Sequence, residues 1–322
     1  MSFAQQTIVP PGPSDTFGQS SLPLFDPNGM TLAQNESAIE QSRLYRETIP
    51  PVSVGVDANG TAVADTESTS SDDDSFGAQQ ILKSQERQRS FTVTGNASVV
   101  YTDNVALTRR GEQDDVFGVV DAGINWAHIV SNNLEANVGF RASIFRYDKA
   151  ESLDFENLGF GMGLAWAPPG LKGFSLFGRY DFTELLNRDG DQILMDHTLT
   201  LGVQKAVALG RSHGFTFGAT AMFGLSDPSA AERSQLGAFI GYHLQISRKL
   251  ETDFLYRPAV HFYTGASRTD FNQILSWTMR YRFNGWAELN ATLSYGVNRS
   301  DHSVFDYNVL TTGAGIGLIV RF

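Results

Sequence analysis

The feature that most constrains this chain is an alternation of apolar and polar residues that begins near Ser90 and continues to Phe322. A period of two places the two sets of side chains on opposite faces of an extended strand. The region beyond Ser90 is therefore predicted to be all-β. The first segment shows the pattern clearly, with Phe91, Val93, Ala97, Val99 and Tyr101 alternating with Thr92, Thr94, Asn96 and Ser98.

Twelve such segments can be counted, separated by short turns and by longer polar connections. They cover about 90–102, 115–129, 133–147, 155–167, 172–185, 192–206, 213–226, 235–247, 249–263, 271–283, 285–298 and 308–322. The connections alternate between short turns, such as Asn284-Gly285, and longer loops, such as Asp103 to Asp114. An even number of antiparallel strands with short turns at one rim and long loops at the other is typical of an outer-membrane β-barrel with both termini periplasmic.

The polarity of the two faces favours a transmembrane barrel over a soluble sandwich. The central parts of the apolar faces contain no Asp, Glu, Lys or Arg, whereas the opposite faces carry many small and charged residues. Polar residues that converge on a lumen are the arrangement expected in lipid. Aromatic residues near the segment ends fit girdles at the two lipid–water interfaces, with packing in a sandwich core as the alternative. They are Phe91, Trp126, Trp166, Phe174, Phe215, Phe283, Trp286 and Phe322 on the turn side, and Tyr101, Phe182, Phe223 and Phe262 on the loop side.

Ten charged residues on the polar faces are candidates for the lumen. If segments nine and ten pair with each other, Glu251 and Asp253 approach Arg280 and Arg282. Opposite charges on paired strands stabilise the pairing, and in a narrow barrel they also polarise or block the passage. Two interpretations stay open, an internal network that fills the barrel and a constriction that selects charged solutes. The ten candidates are Glu135, Arg141, Arg179, Asp181, Glu251, Asp253, Arg257, Arg280, Arg282 and Glu288.

Residues 1–89 differ from the rest in composition and are predicted to be a disordered periplasmic segment. They contain five Lys/Arg and twelve Asp/Glu, and they include Pro-rich stretches and the run TESTSSDDD at 66–74. Such a sequence buries too little apolar surface to offset its chain entropy. The segment is expected to be a solvated tail, a tether, a partner-binding region or a lumen plug. Its run Asp72–Asp74 lacks the spaced ligands of a calcium loop.

Composition and motifs exclude several other functions and sites. The net charge of −11 argues against nucleic acid as a partner, and the absence of cysteine excludes disulfides and thiolate metal sites. The glycines at 159, 161 and 163 and at 313, 315 and 317 repeat every two residues, unlike a dinucleotide loop, and are predicted to face inward. No catalytic motif is present, so no enzyme activity, cofactor or metal is predicted. No signal peptide is visible in this chain.

The last strand carries a specific resemblance. Gly317-Leu318-Ile319-Val320-Arg321-Phe322 resembles the C-terminal signature of outer-membrane barrels, although Gly315 stands where a polar residue is usual. The resemblance implies that the barrel-assembly machinery recognises Gly317, Val320 and Phe322. Residues Tyr101 to Val105 are similar to the first hairpin of a β-barrel porin-like family. The general barrel resemblance covers 90–322.

These observations predict an antiparallel transmembrane β-barrel of about twelve strands at 90–322, embedded in the bacterial outer membrane behind the N-terminal segment. The function predicted first is a porin-like channel for passive diffusion of small polar solutes. The alternative is a non-conducting structural barrel whose residues 1–89 bind a periplasmic protein. One residue conflicts with a regular strand, because Pro258 lacks a backbone N–H in a barrel without edges. A β-bulge or a locally open seam is expected there.

Overall fold

The structure, a computed structural model, describes residues 90–322 apart from residues 132, 172, 211 and 266. Twelve β-strands make up most of this region, and three single 3-10 turns lie in the connections between them. The strands are β1 (Phe91–Thr102), β2 (Asp115–Ser131), β3 (Leu134–Tyr147), β4 (Phe155–Trp166), β5 (Phe174–Asn187), β6 (Gln192–Ala208), β7 (His213–Asp227), β8 (Arg233–Gln245), β9 (Leu250–Tyr263), β10 (Arg268–Arg282), β11 (Ala287–Ser300) and β12 (Tyr307–Arg321).

The strands form one closed antiparallel barrel. Each strand pairs with its neighbours in the sequence, and β1 pairs with β12 to close the sheet. The predicted number of strands and the predicted antiparallel architecture are confirmed, and the strand ends lie within three residues of the predicted ones. Closure leaves no exposed sheet edge, so the backbone of every strand can be paired.

The two ends of the barrel differ less in connection length than the sequence suggests. We call the end with Ser90, Phe322 and the connections 132–133, 167–173, 209–212, 246–249 and 283–286 the turn end, and the other the loop end. At the loop end only 103–114 is long, while 188–191 and 264–267 are as short as most of the turns. Connection length alone therefore distinguishes the two ends only weakly.

Side-chain polarity is inverted relative to a soluble protein, as predicted. Along β1 the threonines, Asn96 and Ser98 are buried inside the barrel, whereas Phe91, Val93 and Val99 are exposed on the outside. The same alternation recurs around the barrel, and Gly159, Gly161 and Gly163 of β4 face inward. The outer surface is consequently a continuous apolar belt, as a bilayer requires. In the part of the chain that the structure describes, no helix is long and apolar enough to cross a membrane.

Pro258 sits at a gap in the β8–β9 ladder. Pairing runs from Gly237 opposite Ala259 directly to Ile240 opposite Tyr256, and the register is the same on both sides of the gap. Pairing of β9 with β10 continues without a break through Gln273 opposite Pro258. Of the two expected solutions, the structure shows the locally open seam and not an inserted bulge residue. The missing N–H of proline accounts for the gap.

The prediction of disorder for residues 1–89 lies outside the described residues. The first described strand begins at Phe91, next to the predicted boundary between the N-terminal segment and the barrel.

Candidate functional site: the barrel interior

The interior of the loop end is apolar, which the sequence analysis did not predict. Inward side chains of β1 to β6 pack there with Val105 of the first loop, Leu153 of the second and Ala231 of the β7–β8 connection. Phe145 and Phe155 stack with ring centroids 4.2 Å apart, and both are fully buried. The loop-end cluster, as we call it, consists of Val100, Val105, Phe117, Val119, Phe145, Tyr147, Leu153, Phe155, Leu185, Leu194 and Ala231. The expectation that polar residues line the whole lumen is wrong at this end.

Buried polar side chains hold the loops over this cluster. The Asn104 amide donates to the backbone carbonyls of Thr108 (2.9 Å) and Asn308 (2.8 Å), and its oxygen accepts from the Thr108 N–H. The Asp115 carboxylate accepts from the backbone N–H groups of Lys149 and Ala150. Bonds from buried carboxylates and amides to backbone fix a loop more firmly than surface contacts do. The first two loops are thus tied inward across the barrel end.

The other side of the loop end is closed by polar and aromatic residues. The Arg268 guanidinium lies between the rings of Tyr263 and Phe305, 3.8 Å from each centroid, and it also pairs with Asp270 at 3.1 Å. Arg233 donates to the Tyr263 hydroxyl across the neighbouring strand. All of these side chains except Phe305 are buried. Together with the loop-end cluster they bury most inward side chains at this end, whereas Met222, Ser226 and Gln235 on β7 and β8 keep partial exposure.

Charged residues gather on β8 to β10 towards the turn end. Arg280 binds Glu251 at 2.7 Å and Asp253 at 2.5 Å, Arg282 binds Glu251 at 2.6 Å, and His243 lies 2.8 Å from Asp253. We call these five residues the turn-end charge cluster. The structure brings together the four charges that the sequence predicted to approach each other, and adds His243. Asp253 keeps about a quarter of its side-chain surface exposed, whereas Arg280 is buried.

The other candidate residues also point inward but form separate contacts. Arg141 pairs with Asp121 of β2 at 3.2 Å, and both side chains are buried. Arg179 pairs with Asp181 of its own strand at 2.8 Å. The remaining three are not part of these pairs: Glu135 lies near the turn end of β3, Arg257 faces the open seam from β9, and Glu288 is paired in register with Arg282.

One sector of the inner wall consists of small residues. The glycines and threonines among the half-exposed inward positions of β6 to β8 are Thr200, Gly202, Gly214, Thr216, Gly218, Thr220, Gly237 and Gly241, which we call the glycine–threonine wall. The rings of Phe177 and Phe239 cover Gly202 and Gly218 so closely that a Cβ atom there would collide with them. In contrast, inward residues of β1 and β11 are mostly buried. Partial exposure of the inner wall is therefore greatest on β6 to β8, away from the two glycines that the rings cover.

The C-terminal signature lies at the seam of the barrel. Gly317 is buried on the inner face, and Val320 and Phe322 are exposed on the outer face. The Phe322 N–H donates to the Phe91 carbonyl at 2.9 Å, so the two ends of the described chain meet at the turn end. An outward Phe at the end of the last strand is accessible to another protein or to lipid.

Sequence reasoning missed four of the residues that complete these groups, namely Asp121, Arg233, Arg268 and Asp270, and it treated His243 as a residue that could face the lumen. Strand parity alone would have assigned each of them to the inner face. The loop-end cluster also left a signal, because neighbouring apolar pairs such as Val99-Val100, Ile144-Phe145 and Ile193-Leu194 interrupt the alternation near the loop ends. Such pairs make both faces of the strand apolar at that depth.

Fold and polarity together define the class, a transmembrane β-barrel of the outer-membrane type. No family model matches the chain, and no curated protein matches it in sequence. Among solved structures, the chain is similar to an outer membrane channel from Pseudomonas putida F1, with 11% identity, 72% of this chain and 96% of that chain covered, and a TM-score of 0.53. The CymD monoaromatic hydrocarbon channel also matches, with 8% identity, 73% and 89% coverage and a TM-score of 0.42. The likeness to the Pseudomonas channel shows the fold.

Proposed function

We propose that the chain is an outer-membrane channel for passive diffusion of small polar solutes, with both termini in the periplasm. The observation that carries the proposal is the half-exposed glycine–threonine wall beside the turn-end charge cluster. Apart from Gly202 and Gly218, which the Phe177 and Phe239 rings cover, these small inward residues leave space for water in a barrel of this size, and charges beside that space act on passing solutes. The channel fold of the Pseudomonas structure is consistent with this function.

The charges bordering the space differ from a simple ring of one sign. Arg280 and Arg282 face Glu251 and Asp253, so a solute would pass beside both signs within one cluster. Among these groups Asp253 is the most exposed side chain, and it therefore has the strongest contact with water in the lumen. We expect this carboxylate to favour cations and dipolar solutes over anions.

Planar-bilayer recordings of the purified full chain test the proposal. The change Asp253→Asn removes one negative charge from the lumen, so the reversal potential in a salt gradient should shift towards anion selectivity. The matched control is Glu156→Gln, which removes a carboxylate on the outer face near the loop end, paired with Arg146 at 2.7 Å. Openings whose selectivity is the same in both variants would contradict a role for the charge cluster.

The closed loop end favours a second candidate, a non-conducting barrel. In this conformation the loop-end cluster spans from β1 to the β7–β8 connection, so the first two loops cover the part of the barrel end that lies against β1 to β6. A barrel that stays closed would serve as a structural element of the envelope. If neither the full chain nor the variant Val105→Asp shows openings in planar bilayers, this candidate is favoured over the channel.

Orientation and assembly are part of the same proposal. The exposed Val304 in the β11–β12 connection provides a reporter, because the chain has no cysteine of its own. Val304→Cys should react with a membrane-impermeant thiol reagent on intact cells if the loop end is extracellular. We further propose that the barrel-assembly machinery recognises the outward Val320 and Phe322, so Phe322→Ala should lower the folded fraction in the outer membrane without changing the interior.

A further inference from the structure

We propose that a groove on the outer face of the barrel, near the turn end, binds a phospholipid whose headgroup has a net negative charge. One acyl chain lies in the groove across β3 to β6, and the headgroup phosphate binds the ammonium group of Lys205. The site belongs to the lipid-facing surface, so it does not depend on whether the barrel conducts. Three features of the molecule support it: the shape of the groove, its depth in the membrane and the charge at its mouth.

The groove is a depression in the apolar outer surface, with a volume of about 700 Å³. Eleven of its fifteen lining residues face outward, which places it on the lipid-facing side of the sheet. Its floor is formed by Ala136 and Gly178, which lie in one row across the sheet on either side of Leu164. Larger side chains stand in the two adjacent rows, with Trp166 in one and Tyr180 in the other. The two small residues therefore leave room for a ligand between large apolar side chains.

The groove extends through the depth of one leaflet. Tyr180 lies six residues beyond Phe174, the first residue of β5 at the turn end, which is about 20 Å along a strand at roughly 3.3 Å per residue. With a strand tilt of about 35–45°, this length advances about 15 Å along the membrane normal, half of a hydrocarbon core about 30 Å thick. The Tyr180 hydroxyl is hydrogen-bonded to Nδ1 of His197 at 2.7 Å, which fixes the side chain at the deep end. These dimensions match one acyl chain that enters from the turn-end leaflet.

A positive charge lies at the mouth of the groove. Lys205 faces outward near the end of β6 and pairs in register with Phe174, and its ammonium nitrogen lies 4.6 Å from the centre of the Phe174 ring. The outward carboxylates of β3 to β6 are Glu156 and Glu184, and both lie near the loop end. No outward carboxylate of these strands therefore neutralises Lys205 at the turn end.

A lipid phosphate is the ligand that fits this charge. A lysine at a membrane interface keeps its aliphatic stem along apolar surface and its ammonium group among the headgroups, where it binds phosphate as a point charge. A headgroup without a cationic group of its own binds more strongly, because no second ammonium group competes for the phosphate. Apolar groove and interfacial charge together therefore select an anionic phospholipid over a zwitterionic one.

Quenching of tryptophan fluorescence by brominated lipids tests the site, because Trp166 lines the groove. The changes Trp126→Phe, Trp277→Phe and Trp286→Phe leave Trp166 as the sole tryptophan of the full chain. The protein is folded into vesicles of phosphatidylcholine and phosphatidylglycerol, and quenching is compared with bromine on the acyl chains of one lipid or of the other. Because a lysine near the surface contributes about fivefold to the affinity for an anionic lipid, brominated phosphatidylglycerol should be preferred at Trp166 by about that factor.

Two variants test the two parts of the site separately. Lys205→Gln removes the charge, so the preference should disappear while both lipids still quench. Gly178→Leu fills the floor, where an added Cβ meets only the Leu201 side chain, at 3.4 Å, so the preference should disappear as well. The matched controls should keep it: Gly118→Leu enlarges an outward glycine of β2 that has open space around it, and Lys249→Gln removes an exposed turn-end charge.

The outcomes that overturn the proposal are distinct. Equal quenching of Trp166 by the two brominated lipids in the chain that retains Lys205 would exclude selective binding. Protection of Trp166 from both lipids would mean that a protein surface, such as a second copy of the barrel, covers the groove. If the tryptophan changes prevent folding, native mass spectrometry of the chain with its four tryptophans should show bound phosphatidylglycerol that Lys205→Gln loses, and equal retention by both would contradict the site. Neither readout requires conduction, so this site and the proposed function fail separately.

Discussion

The loop end and the turn end of this barrel share the same alternation along their strands but differ in their inward side chains. At the loop end, inward aromatic and aliphatic residues pack with two inward-folded loops into a closed apolar cluster. At the turn end, inward positions carry glycine, threonine and paired charges, and several of them stay half-exposed. The outer face is apolar at both ends, because it is set by the lipid. The inner face is free to vary with depth, and it alone distinguishes a closed end from an open one.

The difference has a physical reason in what each end can bury. An apolar cluster gains free energy by excluding water, so it is stable only if the loops complete it. A charge cluster is stable when its groups are paired or hydrated, so it can lie at a barrel end that is open to water. We therefore expect the loop end to respond to changes in packing and the turn end to changes in charge. The following predictions test this distinction.

The largest effect is expected at Val105, which lies in the first loop and is buried in the cluster. Val105→Asp places an unpaired carboxylate among apolar residues, which favours withdrawal of the loop because a buried, unpaired charge is very unfavourable. If the barrel is a channel, single-channel openings should become frequent in planar bilayers. The control is Val304→Asp on the same end, where the side chain is exposed. Equal conductance of the two variants would show that the cluster does not close the passage.

The second effect concerns stability. Phe145→Ala removes one ring of the stacked, fully buried pair with Phe155, so the free energy of unfolding should fall by about 3–5 kcal/mol. Phe177→Ala, nearer the turn end, should cost less, because Phe177 packs only with the partly buried Ala165 and Ala206 and not with a large buried cluster. Urea unfolding in lipid vesicles measures both. A larger loss for Phe177→Ala would reverse the assignment of the packed end.

The sequence specified the barrel far better than it specified the interior. Strand number and polarity follow from a period of two that lipid enforces over the whole outer surface, so residues such as Val99 and Leu275 could be assigned from pattern alone. The inner face has no such rule. Arg141 lies on the inner face, but its partner Asp121 depends on the register between β2 and β3. Closure of the loop end depends on how residues 103–114 fold inward. The conformation of this loop cannot be predicted from the period of two in the strands.

A smaller effect is expected where Arg268 closes the polar side of the loop end. Arg268→Lys keeps the charge but loses the flat guanidinium that stacks between Tyr263 and Phe305. Two cation–π contacts and the pair with Asp270 should weaken, which costs about 1–2 kcal/mol in the free energy of unfolding. Urea titration measures this loss. Lys249→Arg at the turn end, where the side chain is exposed, is the control and should change nothing.

The smallest effect is expected at the outermost contact of the loop end, between Lys149 and Asp114. The hydrogen bond from the Lys149 ammonium, 3.0 Å long, holds the pKa of the Asp114 carboxyl below its ordinary value, and the same bond raises the pKa of Lys149. A lowered carboxyl pKa stabilises the fold above pH of about 4 and a raised ammonium pKa stabilises it below about 10, so any contribution lies between these limits. Both groups are fully exposed, and solvent screens them. Lys149→Met should therefore leave the urea midpoint at pH 7 unchanged within error. A loss comparable with that of Phe145→Ala would mean that surface charge, and not apolar packing, keeps the loop end closed.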